Sequence, residues 1–265
     1  MKETTGADKR PDWSEIETVL LDMDGTLLDL NYDNHFWMEH LPLRYAQIHQ
    51  QEPTEARRHV TALIQAQRGT LNWYCLDYWS ETLDVDITAL KREIGHLIQY
   101  RPGTERLLQF LQSLPASAYI VTNAHRAGLE IKLEAVGLGQ YFSSDRIISS
   151  HDYGEPKEAD RFWTHLQQAL NFQPSHTMFI DDNVQVLEAA AAHGIRHLYG
   201  IAQPDSRGQV SDEAYRRISK VVEGSNTDSV LVPMLTDLGE LIPESSTTST
   251  PTLTSDDVAA GEHRH

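Results

Sequence analysis

Short, largely apolar runs of strand length recur along the chain, and stretches with helical spacing lie between them. The runs cover residues 18–21, 119–121, 146–148, 178–180 and 197–199. Helical spacing is shown by Leu107, Leu108, Leu111 and Leu114 before the second run and by Leu129, Leu133 and Val136 after it. This alternation predicts an α/β fold, a Rossmann-like doubly wound parallel sheet with helices on both faces.

Helix ends are marked by residues that favour helix termini. Gly137 follows the helical stretch after the second run, and an alanine-rich segment, 184–193, lies between Asn183 and Gly194. An asparagine side chain caps a helix start, whereas glycine adopts the left-handed conformation that ends one. We therefore predict helices that end at Gly137 and Gly194.

Residues 31–101 interrupt the alternation. They contain three stretches with helical spacing and no convincing strand; one follows Pro53 and another covers 87–98. We predict an α-helical cap over 31–101, inserted after the first strand, and a discontinuous core formed by 15–30 and 102–242. Residues 243–265 are rich in Ser, Thr and Pro and are predicted to form a disordered tail.

The net charge of −17 argues against an electrostatic grip on nucleic acid, which needs surplus lysine and arginine. Residues 221–265 hold eight acids and one arginine and so contribute −7, which leaves −10 on the rest of the chain. An anionic substrate would therefore need local positive charge, most naturally a divalent metal ion. The sequence does not specify an oligomeric state, and a monomer is compatible with it.

Cysteine and histidine give little sign of a metal site. Cys75 is the single cysteine, which excludes an internal disulfide, and we expect it to pack as a small apolar group. The thirteen histidines form no pair at ligand spacing beside a suitable acid, so the sequence does not predict zinc binding. The N-terminus has no apolar leader and no run is long enough to span a membrane, so we expect a cytoplasmic protein.

Polar residues follow several of the predicted strands. Asp22 and Asp24 end the first, Thr122-Asn123 the second and Asp181-Asp182 the fourth, and Lys157 follows the third after Gly154-Glu155-Pro156. Carboxyl ends of parallel strands share one edge, where α/β proteins bind ligands, and neighbouring carboxylates favour a cation or a shared proton. Taken singly, these residues also suit a turn, a helix cap or a solvated lysine.

In this order the residues resemble the haloacid dehalogenase (HAD) superfamily of phosphotransferases. The resemblance implies that Asp22 attacks phosphorus and that Asp24 protonates the leaving oxygen and then deprotonates water. Thr122, Asn123 and Lys157 would hold the phosphoryl oxygens. Mg²⁺ would be held by the Asp22 carboxylate, the Asp24 main-chain carbonyl and Asp182. Asp181 would bind it directly or through water. Because a halide needs no acid, Asp24 favours phosphoester chemistry.

A closer resemblance is to the purine 5′-nucleotidases of this superfamily, which hydrolyse GMP and IMP. It is carried by "LLDMDGTLLDL", "TLNWYCLDYWSE", "TNAH", "DYGEPKEADRFW" and "FIDDN". It implies a small-molecule phosphomonoester substrate and a cap helix, rich in Trp73, Tyr74, Tyr78 and Trp79, that offers aromatic surface to a purine. Asn72, Trp73 and Asp77 are the candidate substrate contacts, although cap packing suits at least half of the four aromatic residues, and Asn72 and Asp77 equally suit cap and surface positions. A sugar-phosphate or phosphoglycolate phosphatase, a phosphomutase and a non-catalytic binding protein are the alternatives.

Overall fold

A seven-stranded sheet forms the centre of the protein in a computed structural model that describes residues 10–222 and 226–244. The strands are β1 (Thr18–Leu21), β2 (Ser117–Thr122), β3 (Ile147–Ser149), β4 (Thr177–Asp181), β5 (His197–Ile201), β6 (Tyr215–Val222) and β7 (Asn226–Leu235). Their order is β3-β2-β1-β4-β5-β7-β6, and only the edge strand β6 runs antiparallel to its neighbour. The predicted doubly wound α/β fold is confirmed.

Helices cover the sheet and fill the predicted insertion. They are α1 (Asn31–His35), α2 (Leu41–Ile48), α3 (Pro53–Ala66), α4 (Leu76–Leu83), α5 (Ile87–Glu93), α6 (Thr104–Gln112), α7 (Arg126–Val136), α8 (Asp160–Leu170) and α9 (Val184–Ala192). Gly137 ends α7 with φ 69°, and Asn183 caps α9 by accepting a hydrogen bond from Gln185 N. The helix end predicted at Gly137 is confirmed, whereas α9 ends at Ala192 with His193 as its C-cap, just before the predicted Gly194, whose φ is 99°.

The sheet buries both of its faces, as a doubly wound fold requires. Along β1, Val19 and Leu21 pack into the cluster that also contains the residues of the helical insertion, whereas Leu20 packs into the opposite cluster with Phe162 and Trp163. All four residues of β1 are buried. This strand is therefore central, and the residue that follows it lies well inside the molecule.

The hairpin of β6 and β7 was not expected from the sequence. It joins the sheet where Gly200 pairs with Met234, and a Cβ on Gly200 would lie 2.5 Å from Met234 Sδ. Basic residues in β6 and Pro233 in β7 weaken the strand pattern, because proline cannot donate to a ladder. Of the predicted tail, 245–265 lie outside the described residues.

The helical insertion differs from the prediction in one respect. The aromatic residues expected in one cap helix are divided between a 3₁₀ turn, Leu71–Tyr74, and α4. Cys75 separates the two because its backbone is extended, with φ −85° and ψ 109°, and its sulfur caps α4. The limits of the cap at 31 and 101 stay a prediction.

The insertion leaves and re-enters the core through two adjacent segments. Leu28 pairs with Tyr100 in an antiparallel bridge, and Arg101 N donates to Leu27 O at 3.0 Å. The buried Arg101 guanidinium donates to the main-chain oxygens of Gln203 at 2.9 Å and of Thr236 at 3.4 Å. Both connections are thus fastened to the core at one place.

Candidate active site

The predicted catalytic residues lie together at the carboxyl ends of β1, β2 and β4. Asp22 N donates to Ile180 O at 2.9 Å, so the β1–β4 pairing extends to the first aspartate. Asp22, Asp24, Thr122, Lys157 and Asp182 all line one cavity of about 660 Å³ at this edge. The sheet order explains the convergence, because β1 lies between β2 and β4.

Lys157 is the cation at the centre of the site. Its Nζ lies 2.5 Å from Asp22 Oδ1 and 2.7 Å from Asp181 Oδ2, and it donates to Val121 O at 3.1 Å. The lysine is buried; burial alone would lower its pKa, but the carboxylates of Asp181 and Asp22 raise the pKa above its ordinary value. Lys157 is therefore charged, and it holds Asp22 by one oxygen.

The other oxygen of Asp22, Oδ2, is buried and has no hydrogen-bond partner within 10–222 and 226–244. Oxygen atoms of Asp22, Asp181 and Asp182 lie within 4.8 Å of one another. Burial raises the pKa of Asp22 to about 6 despite Lys157, and burial with the charges of Asp181 and Asp22 raises that of Asp182 well above its ordinary value. An unpartnered carboxylate oxygen among hard oxygen donors fits a divalent cation of the Mg²⁺ class.

Gly25 allows Asp182 to approach the first strand. Its φ of +87° lies in the left-handed region, and a Cβ there would lie 2.6 Å from Asp182 Oδ2. The chain therefore turns sharply after the two aspartates. Only glycine therefore brings this turn and the carboxylate so close together.

Thr122 and Asn123 border the cavity from the end of β2. Thr122 Oγ1 accepts from Ala124 N at 3.0 Å, which orients the hydroxyl while its hydrogen stays available to a ligand oxygen. Asn123 Oδ1 accepts from Lys157 N at 2.9 Å, and its Nδ2 donates to Glu158 at 2.9 Å. Asn123 thus fixes the segment that carries Lys157.

Asp24 is held by residues that the sequence did not indicate. Lys132 Nζ lies 2.6 Å from Asp24 Oδ1 and 2.7 Å from Asp33 Oδ2, and Lys91 Nζ lies 2.8 Å from Asp33 Oδ1. Burial raises the pKa of Asp24 to about 6 in spite of Lys132. From the sequence, Lys91 and Lys132 would be taken for ordinary surface residues of helices. The fold shows that both are buried beside the aspartates.

The helical insertion supplies the opposite wall of the cavity. Trp73 and Tyr74 line it, together with Trp37, and Tyr74 OH donates to Glu158 at 2.9 Å. Asn72 and Asp77 do not line the cavity: Asn72 Nδ2 donates to Gln67, and Asp77 lies 3.5 Å from His125 Nε2. Trp73 is therefore the predicted substrate contact that this wall presents, and Asn72 and Asp77 stay predictions.

A buried carboxylate at the end of the first strand, a lysine, a threonine and an acidic pair are typical of a phosphoryl-transfer hydrolase of α/β fold. The family model described as haloacid dehalogenase-like hydrolase matches residues 16–194. The chain belongs to this family.

Curated relatives and solved structures agree with this assignment. The chain is 40% identical to the GMP/IMP nucleotidase of Escherichia coli (strain K12) over 205 residues, which are 77% of this chain and 90% of that protein. It is 22% identical to a phosphorylated carbohydrates phosphatase of Thermotoga maritima over 75% of this chain and 91% of that protein. A HAD phosphatase from Thermococcus onnurineus superposes with a TM-score of 0.62 at 22% identity, over 74% of this chain and 92% of its own. This structural likeness supports the fold.

Proposed function

We propose that this protein hydrolyses purine nucleoside 5′-monophosphates to nucleoside and phosphate, with Mg²⁺ as cofactor. The observation that carries the chemistry is the buried Asp22 carboxylate, which lines the cavity. One of its oxygens is paired with Lys157, and the other has no hydrogen-bond partner among the described residues. The nucleotide is supported by the 40% identity to a GMP/IMP nucleotidase. The aromatic wall formed by Trp37 and Trp73 offers a face for a base.

The reaction begins at Asp22. One of its oxygens forms a bond to phosphorus while the ester bond to the nucleoside oxygen breaks, and Asp24 gives its proton to that oxygen. Asp24 then takes a proton from water, the water oxygen attacks the aspartyl phosphate, and release of phosphate restores Asp22. The raised pKa of Asp24, about 6, suits a residue that donates and then accepts a proton.

The remaining site residues stabilise charge on the phosphoryl group. Thr122 and Asn123 offer hydrogen-bond donors from the end of β2, and Lys157 supplies a fixed positive charge. Asp22, Asp181, Asp182 and the Asp24 main chain would hold Mg²⁺, which neutralises phosphoryl charge when bound. The same carboxylates leave a surplus of negative charge that a cation balances.

A panel of phosphomonoesters in the presence of Mg²⁺ tests the substrate. We expect GMP and IMP to give higher kcat/KM values than AMP, UMP, a hexose phosphate and phosphoglycolate, with Asp22→Asn as the background control. Hexose phosphate hydrolysed as fast as GMP and IMP would contradict the nucleotidase assignment. That result would instead favour the chemistry named for the Thermotoga maritima relative.

A further inference from the structure

A second group of potential metal ligands lies beside the carboxylate site. Cys75, His125 and His151 each place one ligand atom within 4.8 Å of the others. Cys75 caps α4 in the helical insertion, His125 precedes α7, and His151 lies in the 3₁₀ turn Ser150–Asp152 after β3. The three side chains therefore meet across the boundary between the insertion and the sheet.

The two histidines have nitrogen atoms that nothing in the described structure satisfies. His125 Nδ1 and His151 Nε2 are both buried and have no hydrogen-bond partner among residues 10–222 and 226–244. A buried polar atom left without a partner is destabilising, and the two rings are neighbours, with centroids 5.0 Å apart, so the pair points to an absent ligand.

The opposite sides of both rings do have partners. His125 Nε2 lies 3.5 Å from Asp77 Oδ2, and the His151 ring forms a hydrogen bond with the main chain of Asn123. A proton on the partnered nitrogen leaves a lone pair on the orphaned one, as in histidines oriented by a carboxylate or carbonyl for metal binding.

The donor set is of a different kind from the carboxylate cluster. One thiolate and two imidazoles suit Zn²⁺, whereas Mg²⁺ prefers oxygen ligands. With zinc–ligand bonds of about 2.0–2.3 Å, tetrahedral ligand atoms lie roughly 3.4–3.6 Å apart. The three ligand atoms lie within 4.8 Å of one another, so metal binding would draw the side chains about 1 Å closer together.

We propose that Cys75, His125 and His151 bind one Zn²⁺ ion, which joins the helical insertion to the sheet. The thiol of Cys75 gives up its proton to solvent as its sulfur bonds to the metal, and the two orphaned nitrogens donate their lone pairs. The fourth position stays open to water. This site has no sequence motif, because its ligands come from three segments and share no short spacing.

Co²⁺ added to the full-length protein is the direct probe, since a Co²⁺–thiolate bond absorbs in the near ultraviolet and a carboxylate site does not. Cys75 is the single cysteine, so any such band reports this site alone. We expect a band that saturates at one equivalent, is displaced by Zn²⁺ and is lost in Cys75→Ser. His125→Ala and His151→Ala should each weaken Co²⁺ binding at least tenfold.

Asp22→Asn is the matched control, because it alters the carboxylate cluster and should leave the band unchanged. Absence of the band in the wild-type protein, or its persistence in the His125→Ala/His151→Ala double variant, would overturn the proposal. Hydrogen exchange tests the joining: Zn²⁺ should protect both the start of α4 and the turn 150–152, and Cys75→Ser should remove both effects. Zn²⁺ protection of one side only would show that the ion does not connect them.

Discussion

The two oxygens of Asp22, the proposed nucleophile, have unequal environments. Lys157 fixes Oδ1 at 2.5 Å, while Oδ2 is buried and free of hydrogen bonds to any described residue. A carboxylate held in this way keeps one lone pair directed at the cavity and loses little rotational freedom on reaction. The same arrangement makes the residue simple to test.

We expect Asp22→Asn to lower kcat by at least about a thousandfold, because an amide is a poor nucleophile. The midpoint of thermal unfolding should stay the same or rise, since one of several crowded carboxylates is removed. Rapid-quench turnover and calorimetry measure the two effects. Asp212→Asn, at an exposed position, is the control, and a variant at Asp22 with near wild-type turnover would disprove the nucleophile assignment.

Gly25 offers a second test at the same scale. Gly25→Ala places a Cβ 2.6 Å from Asp182 Oδ2 at a φ of +87°, and we expect half-maximal turnover to need at least about ten times more Mg²⁺. Gly194→Ala is a matched control, with φ +99° and its nearest neighbour at 3.8 Å. If both variants lose Mg²⁺ affinity equally, backbone strain explains the result and the clash with Asp182 does not.

At this scale the sequence predicted the residues that meet at the carboxyl edge of the sheet and missed the lysine that holds Asp24. Asp22, Thr122, Asp181 and Asp182 follow apolar strands, so their shared edge could be inferred from the pattern alone. Lys132 lies on a helix and contacts Asp24 only through tertiary packing. Periodicity carries no signal for such a pairing.

Among the elements, α1, α5 and α7 are tied together by one carboxylate. Asp33 on α1 lies 2.8 Å from Lys91 Nζ on α5 and 2.7 Å from Lys132 Nζ on α7, and both lysines are buried. Although burial opposes it, the two lysines lower the pKa of Asp33 below its ordinary value. The charged carboxylate therefore stabilises the packing of the insertion on the sheet.

Asp33→Asn should lower the free energy of unfolding at pH 7 by about 3 kcal/mol, because it leaves Lys91 buried without its carboxylate. Since the folded-state pKa of Asp33 is lowered, its stabilisation is complete above the unfolded value of about 3.9 and is lost as the pH falls further. Urea unfolding from pH 7 to pH 3 should show the two proteins converging in acid.

Glu134→Gln provides the comparison for that experiment. Glu134 on α7 pairs with Arg92 on α5 at 3.1 Å, but these side chains are 69% and 49% exposed. Removal of this ion pair should lower the free energy of unfolding by less than about 1 kcal/mol at any pH. Equal losses in the two variants would show that Asp33 contributes no more than a surface ion pair.

The elements that the sequence missed share a physical cause. The hairpin of β6 and β7 enters the sheet through Gly200 and Met234, a close approach that no local pattern announces. The break at Cys75 depends on the backbone of one residue between two aromatic stretches. Neither feature produces an apolar period in the sequence, whereas the parallel strands can be predicted from their apolar composition.

In the whole molecule, the cavity lies between the strand ends and the insertion, so in the proposed reaction residues of the insertion would face the leaving group and not the phosphate. Trp73→Ala should raise KM for GMP by about fivefold or more, because base stacking contributes about 1–3 kcal/mol. KM for glycerol phosphate, which has no base, should change less than twofold. Tyr78→Ala, an aromatic residue of α4 outside the cavity lining, should leave both values unchanged. An equal rise in both KM values would show that Trp73 contributes only to packing.

Within the described residues, no helix is both long and apolar enough to cross a membrane. The proposed function uses the cavity between the strand ends and the insertion.

Arg101 lies where the two connections of the insertion meet. Its guanidinium donates to the main chain at Gln203 and Thr236, and the bridge between Leu28 and Tyr100 lies directly beside it. One buried cation thus holds both crossings of the chain and two main-chain segments of the core. The points of exit and re-entry are therefore coupled, and a substitution at Arg101 would loosen both at once.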